Sequence, residues 1–324
     1  MKNHSLQVNT APTFHVDVVT TPAPVATDDE VIVKVDWSAV NYKDALAQTE
    51  KGGVIRNYPM TPGIDLAGTV SQSQDANFPA GTEVLVTGYG LGVSHPGGYS
   101  QWQRVPAAWL VKRPTTLSAK EAMIFGTAGF TAALAVRQIL AQTTPADPIL
   151  ITGASGGVGS LALAMLAAKG YHQLIAVSRK ESARHWLSDL GASQVIPPSD
   201  LISERPRPLA KQTYAGVIDT VGGELVSQVL PYVAYGGIVA LCGNAGGIKL
   251  DTTVLPFILR GITLAGIDSV NTPMPLRQEI WQQLAANKQI LEKLTIDEIS
   301  LEEVPTIAAN LLAGTHSGRT IVKM

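Results

Sequence analysis

Two rhythms of hydrophobic and polar positions run along the chain. In roughly the first hundred residues, short β-branched runs are broken by Gly and Pro: Val31–Trp37, Asp65–Val70, Glu83–Thr87 and Tyr99–Val105. Strands at this spacing predict a barrel-like β domain. At Ser118-Ala-Lys-Glu121 a capping box opens an Ala-rich helical run to about Ala141, and the rhythm changes. Apolar strands then alternate with helices: Ile149–Thr152, a helix over about Gly157–Lys169, Leu174–Val177, a helix over about Ser182–Leu190, Val195-Ile196, Ala215–Asp219, a helix over about Glu224–Tyr232, and Gly237–Leu241. Repeated βα units of this length predict an α/β fold with a doubly wound parallel sheet. Two further helices are expected near Leu276–Asn287 and Leu301–Ala313, and the closing strand Arg319–Val322 needs a sheet to join. The expected organisation is a β-rich domain over residues 1–117, an α/β domain over 118–260 and a segment over 261–324 that returns to the first domain.

Composition narrows the partners. The 324 residues carry 24 Lys+Arg against 26 Asp+Glu, a net charge of −2 that offers no general field for nucleic acid or an anionic membrane. The tryptophans do not interleave with basic residues, so no stacking platform for bases is expected. One cysteine, Cys242, can form neither an internal disulfide nor a multi-cysteine zinc site, and reads as a small buried hydrophobe. The six histidines are scattered without paired spacing. The N-terminal residues lack a signal-peptide core, and no uninterrupted apolar stretch reaches the roughly 18 residues of a membrane span. The expectation is a cytoplasmic protein acting on a small molecule.

Candidate chemistry starts with Ile149-Leu-Ile-Thr-Gly-Ala-Ser-Gly-Gly-Val-Gly159. An apolar strand runs into a glycine-rich turn that opens a helix, so the amides of Ser155, Gly156, Gly157, Val158 and Gly159 can face a pyrophosphate. The second strand ends in Ser178-Arg179-Lys180. An NAD site would normally end in a carboxylate that holds the ribose 2′-hydroxyl, whereas one hydroxyl and two cations suit a 2′-phosphate. The expected cofactor is NADPH.

Further motifs are Asn41-Tyr-Lys-Asp44, Pro62-Gly-Ile-Asp-Leu-Ala-Gly-Thr-Val70, Gly126-Thr-Ala-Gly-Phe-Thr131, Pro256-Phe-Ile-Leu-Arg260 and Gly266-Ile-Asp-Ser-Val270. With the glycine turn, and spread over essentially the whole chain, they resemble the medium-chain dehydrogenase/reductase superfamily, in its zinc-free quinone oxidoreductase-like branch that includes acrylyl-CoA reductase. The resemblance implies a GroES-like catalytic domain beside a Rossmann-type domain, and often a homodimer joined by edge strands of the nucleotide-binding sheet, here with Gly261–Gly266 as the candidate edge. Zinc-dependent members carry ligands where this chain has Asn41, Gly63-Ile64-Asp65 and Ala128; Asn, Ile and Ala cannot supply a catalytic Zn²⁺ with its ligands, so no metal is expected.

Without a Lewis acid, a conjugated double bond is the acceptor that takes hydride most directly, and donors held at its carbonyl oxygen stabilise the enolate. The resemblance brings Asn41 and Tyr42 beside the nicotinamide as those donors, with Tyr42 also a proton relay, and Asp44 and Asp65 as neighbouring carboxylates that transfer protons or orient other groups. It also implies cofactor or cleft contacts from Thr127, Asn244, Ser269 and Arg319. Gln194 stands where relatives carry an Arg on the adenosine phosphate. The expected activity is NADPH-dependent reduction of a short 2-enoyl thioester of acrylyl-CoA type. The alternatives are an NADPH:quinone oxidoreductase and a non-catalytic NADPH-binding protein.

Overall fold

The computed structural model describes residues 2–27, 29–205 and 207–324. The chain forms two compact units, one of Met1–Thr127, Val270–Lys288 and Thr295–Met324, the other of Ala128–Ser269 and Gln289–Leu294.

The first unit opens with an antiparallel hairpin, β1 (Lys2–Asn9) and β2 (His15–Pro22), in the register Leu6 with Val18 and Val8 with Val16. The sequence reading did not anticipate this hairpin, because polar residues separate its few apolar ones. It forms because Leu6 and Val8 are buried. Next come β3 (Glu30–Val40), α1 (Tyr42–Ala47), β4 (Asp65–Gln72), β5 (Glu83–Thr87), β6 (Trp102–Pro106), β7 (Val111–Lys112) and α2 (Ala119–Leu140), of which the residues to Thr127 belong to this unit and the remainder to the second. Val31, Val33, Val35, Leu66, Val84, Val86 and Val105 share one core, each contributing about 1.5–3 kcal/mol relative to exposure.

Helix α2 is long and apolar enough to cross a membrane by composition, yet 67% of that stretch is buried within the protein. It is also broken. Gly126 has φ 49° and ψ −155°, a combination open only to glycine. A Cβ there would lie 2.6 Å from Asp65 Oδ2. The continuous helix expected to Ala141 is therefore two helical pieces meeting at Gly126.

The second unit holds a six-stranded sheet of β8 (Ile149–Ile151), β9 (Leu174–Val177), β10 (Gln194–Ile196), β11 (Tyr214–Asp219), β12 (Val233–Leu241) and β13 (Thr263–Gly266). Helices α3 (Gly157–Ala168), α4 (Arg184–Asp189), α5 (Gly223–Val229) and α6 (Leu255–Arg260) accompany it. The order β10-β9-β8-β11-β12-β13 is parallel at every pairing. Strand order reverses between β8 and β11, the point at which such sheets hold a nucleotide at their carboxyl ends.

The chain then returns through α7 (Met274–Ala286), β14 (Ile296–Ile299), α8 (Val304–Leu312) and β15 (Arg319–Lys323). In the first unit's sheet, β15 pairs antiparallel with β3 and parallel with β14, in the order β14-β15-β3-β4-β5-β7. Two expected boundaries shift. The first unit extends to Thr127 rather than residue 117, since Thr127 is hydrogen-bonded to Asp65 of β4. The return begins at Val270 rather than 261, since Thr263–Gly266 is the sixth strand of the parallel sheet.

Candidate active site

The nucleotide-binding half of the site grows from the end of β8. Gly156 is the N-cap of α3, in extended conformation. The first amides of a helix have no intrahelical acceptor, so those of Gly157, Val158 and Gly159 are donors available to an anion. Gly159 has to be glycine for packing, because a Cβ would sit 2.5 Å from the Gly153 carbonyl oxygen. Ser155 and Ser178 are both buried, and the Ser178 hydroxyl donates to Ser155 Oγ at 3.1 Å. The same Ser178 oxygen accepts the Lys180 amide at 3.1 Å. The glycine turn and the end of β9 are thus tied together, with Arg179 exposed beside them. Burial and the neighbouring Arg179 lower the Lys180 pKa. Two adjacent cations that repel one another are stabilised by a dianion placed between them.

A buried carboxylate fixes the switch point. Asp219, at the end of β11, accepts from the Thr152 hydroxyl at 2.6 Å and from the Gly222 amide at 2.7 Å. Thr220 reciprocates, donating its hydroxyl to the Thr152 carbonyl at 2.8 Å. Sequence reasoning missed Asp219, although an acid closing an otherwise apolar strand was the available signal. Cys242 is partly rather than fully buried, and its thiol lies against the Asp219 carbonyl at 3.3 Å. Burial, then the Asp219 charge, push it up to about 12, which makes it inert. Asn244 is exposed on the loop after β12, and Ser269 is half-buried beyond β13. Both follow carboxyl ends of parallel strands.

In the first unit, Asn41, Asp44, Asp65, Thr127 and Arg319 form one hydrogen-bonded cluster. Asp44 and Asp65 are fully buried. Asp44 accepts the Asn41 amide at 2.9 Å, the acid's half of an N-terminal cap on α1, and the Ile64 amide at 2.9 Å. Asp65 accepts the Thr127 amide at 2.9 Å and also the Thr127 hydroxyl. Burial, and then the Asp65 charge, push Asp44 up to about 7. Burial raises Asp65 as well, against the opposing pull of Thr127, Asn41 and Arg319.

This geometry corrects two sequence-based roles. The Asn41 side-chain amide spends both N–H groups on carboxylates, at 2.8 Å to Asp65 and 3.2 Å to Asp44. A buried carboxylate left without donors is costly, so Asn41 serves the acids and is not a donor aimed at a substrate oxygen. Arg319 is neither a surface cation nor an open anion contact. It is 2% exposed, and its guanidinium donates to the carbonyls of Ile124 at 2.8 Å, Val40 at 3.3 Å and Met123 at 3.4 Å, and to Asn41 Oδ1 at 3.4 Å. It therefore closes the first piece of α2 just before the Gly126 break. Tyr42 opens α1 beside the cluster and is half-buried. Tyr99, also missed from sequence, donates its hydroxyl to the Ala39 carbonyl at 3.1 Å and is fully buried.

These two halves define a nucleotide-dependent oxidoreductase with a GroES-like domain and a Rossmann-type domain. The chain belongs to the medium-chain dehydrogenase/reductase superfamily. Residues 27–115 match the alcohol dehydrogenase GroES-like domain family and residues 157–287 the zinc-binding dehydrogenase family. It is 50% identical over 300 residues, 92% of each chain, to an Escherichia coli protein named a probable acrylyl-CoA reductase, AcuI. It is 44% identical over 297 residues, 90% of this chain and 89% of the relative, to the acrylyl-CoA reductase AcuI of Ruegeria pomeroyi. YhfP of Bacillus subtilis, named as a candidate quinone oxidoreductase, is 44% identical over 300 residues, 91% of each chain. Among solved structures, the YhdH oxidoreductase of Salmonella enterica in complex with NADP superimposes with a TM-score of 0.93 at 43% identity, over 100% of both chains. The E. coli YhdH structure with bound NADPH gives 0.93 at 46% identity, over 98% of this chain and 99% of the other. The Bacillus subtilis YhfP structure has NAD bound and gives 0.94 at 42% identity, over 100% of both.

The zinc implied by one family description does not fit this donor set. Among the described residues, no group of three or more His, Cys, Asp or Glu could hold a metal ion. The two carboxylates near Asn41 have N–H and O–H donors on their oxygens, with the Arg319 guanidinium as the fixed positive charge.

Proposed function

We propose that the protein is an NADPH-dependent reductase of the activated C=C bond of a short 2-enoyl thioester of acrylyl-CoA type, working without zinc. The observation that carries this reading is the 50% identity over 92% of both chains to a protein named for that activity. The residues present at the two half-sites support it.

The amides of Gly157, Val158 and Gly159 receive the pyrophosphate of the cofactor at the N-terminus of α3, the Gly156 amide being held by the Gly153 carbonyl at 2.9 Å, while Ser178, Arg179 and Lys180 take its 2′-phosphate. NADPH supplies the hydride when bound. Asn244 and Ser269, on the loops after β12 and β13, border the nicotinamide end. Asp65 holds Thr127 by its amide and hydroxyl, so the Gly126–Thr127 corner is presented in one conformation. Since Asn41 is committed to the carboxylates, stabilising charge on the acceptor's carbonyl oxygen falls to backbone amides and to the Tyr42 hydroxyl. Tyr42 can also deliver a proton to the α-carbon. Asp44 and Asp65 are positioning groups for Asn41, Thr127 and the start of α1.

A quinone is the second reading, favoured by the 44% identity to YhfP. The deciding experiment compares acrylyl-CoA and a simple 1,4-quinone side by side, following NADPH oxidation and identifying products by mass. Saturated thioester supports the proposal. Hydroquinone alone makes the second reading correct, and cofactor binding without turnover of either acceptor leaves a non-catalytic NADPH-binding protein.

We also propose a cytoplasmic homodimer joined along β13. That strand is the sheet's edge and is half-exposed, and Ile248 and Ile258 nearby in the chain are 87% and 68% exposed. An unpaired edge beside exposed apolar side chains is satisfied by a second copy. Light scattering at the monomer mass would refute it.

A further inference from the structure

Among the described residues, Tyr89 is the only non-glycine with a positive φ, 51°. Side chains hold such a conformation only where their surroundings over-determine it, and strain of this kind collects near functional sites. Here the surroundings are unusual. The Tyr89 ring stacks on Trp109 at 5.4 Å with 8° between planes, and the Arg277 guanidinium carbon lies 4.4 Å from the Tyr89 ring centre. Trp109 in turn meets His95 edge-on at 5.2 Å.

Arg277, on α7, is fully buried and uses its fork on two separate stretches of chain. One arm donates to the Thr87 carbonyl at 2.7 Å and the Thr87 hydroxyl at 3.0 Å. The other donates to the Val270 carbonyl at 3.0 Å, which also accepts the Tyr89 amide at 3.1 Å. Thr87 is the ladder partner of Asp65, and Val270 is the residue after Ser269. One guanidinium therefore fixes the end of the strand beside Asp65 to the backbone immediately following Ser269. A planar fork can do this, while a point charge cannot hold both carbonyls at once.

We propose that Arg277 is a positioning residue for the cofactor, acting through the Val270 carbonyl to fix Ser269, with the Tyr89–Trp109 stack as its brace. This rests on the reading of Ser269 as a residue that borders the nicotinamide. The ring of Tyr89 lies between Arg277 and Trp109 and is a support rather than a platform for substrate.

The test measures NADPH dissociation by fluorescence titration, along with KM for NADPH, kcat and melting temperature, in the intact protein and in Arg277→Met, Arg277→Lys and Tyr89→Phe. Loss of a charge-assisted bond to Val270 should weaken NADPH about tenfold in Arg277→Met, with a smaller fall in kcat at saturating NADPH. Arg277→Lys should bind NADPH with intermediate affinity, and Tyr89→Phe, which keeps the stack, should match the wild type. A purely structural role would lower melting temperature in both Arg277 variants and leave NADPH affinity unchanged in the folded fraction, which overturns the proposal. If Arg277→Met does not fold, Arg277→Lys decides the matter by the same criterion. Wild-type protein that fails to bind NADPH would overturn the cofactor reading, and this inference with it. Wild-type binding matched by both Arg277 variants overturns the positioning role alone.

Discussion

Replacing Asp44 by Asn removes one buried titration while nearly preserving the volume of the side chain. The carboxyl of Asp44 ordinarily titrates at 3.8 and is pushed up to about 7 in the folded protein, by burial first and the neighbouring Asp65 second. Between those values the folded protein holds a proton that the unfolded chain has released. The Asp44 contribution to stability therefore falls as pH rises from about 4 to about 7 and is flat beyond, a change of a few kcal/mol in order of magnitude at about 1.4 kcal/mol per pH unit. Asp44→Asn has no such slope. It also loses one acceptor oxygen, leaving either the Asn41 or the Ile64 amide short of a partner at a cost of about 1–3 kcal/mol. The variant should thus be less stable than the wild type in acid and should draw level with it or pass it in base. Urea unfolding near pH 5 and near pH 8 brackets the folded value of about 7 and reads the change in the stability gap. Asp219, which burial also raises, is present in both proteins and cancels in the difference, whereas Asp65 is coupled to Asp44, so the slope that is read belongs to the pair. A stability gap of the same size at both pH values would refute the reasoning.

Exchanging Arg179 and Lys180 together for Ala should weaken NADPH by one to two orders of magnitude and NADH little; equal losses in a binding titration would remove these residues from the 2′-phosphate. Gly126→Ala forces a Cβ to within 2.6 Å of Asp65 Oδ2 at a backbone angle that alanine rarely adopts, so stability should fall by about 2 kcal/mol or more, and an unchanged unfolding midpoint would contradict the break in α2. Tyr42→Phe should lower kcat about ten- to a hundredfold with NADPH affinity nearly intact, and an unchanged rate would make Tyr42 a packing residue.

The parallel sheet was legible because its signals are local. Ile149–Thr152 followed by the glycine turn, and Leu174–Val177 followed by Ser178-Arg179-Lys180, are continuous stretches whose apolar rhythm and turn residues dictate strand, turn and helix together. The closing strand at Arg319 was likewise visible as a β-branched run in need of a partner, which β3 provides. The candidate residues of both half-sites were named from such runs and from the family motifs they form. What no local pattern contained was the direction in which each polar group spends its hydrogen bonds. Asn41 and Asp44 share one local turn, but Asp65, Thr127 and Arg319 are distant from it in sequence, and only the packed first unit joins them. Once joined, burial makes every donor and acceptor obligatory, which commits Asn41 to two carboxylates and turns Arg319 from an expected cofactor contact into a strut. The break at Gly126 has the same origin, since the helical pattern of residues 119–140 runs through it and only the carboxylate of Asp65, carried in on β4, leaves no room for a Cβ. Sequence thus determined the strands and helices of the parallel sheet and the chemistry available, but not the N-terminal hairpin or the order of the strands. Tertiary structure decided which of those groups are held in reserve for one another, because desolvation penalises an unpaired buried charge more strongly than any local preference can offset.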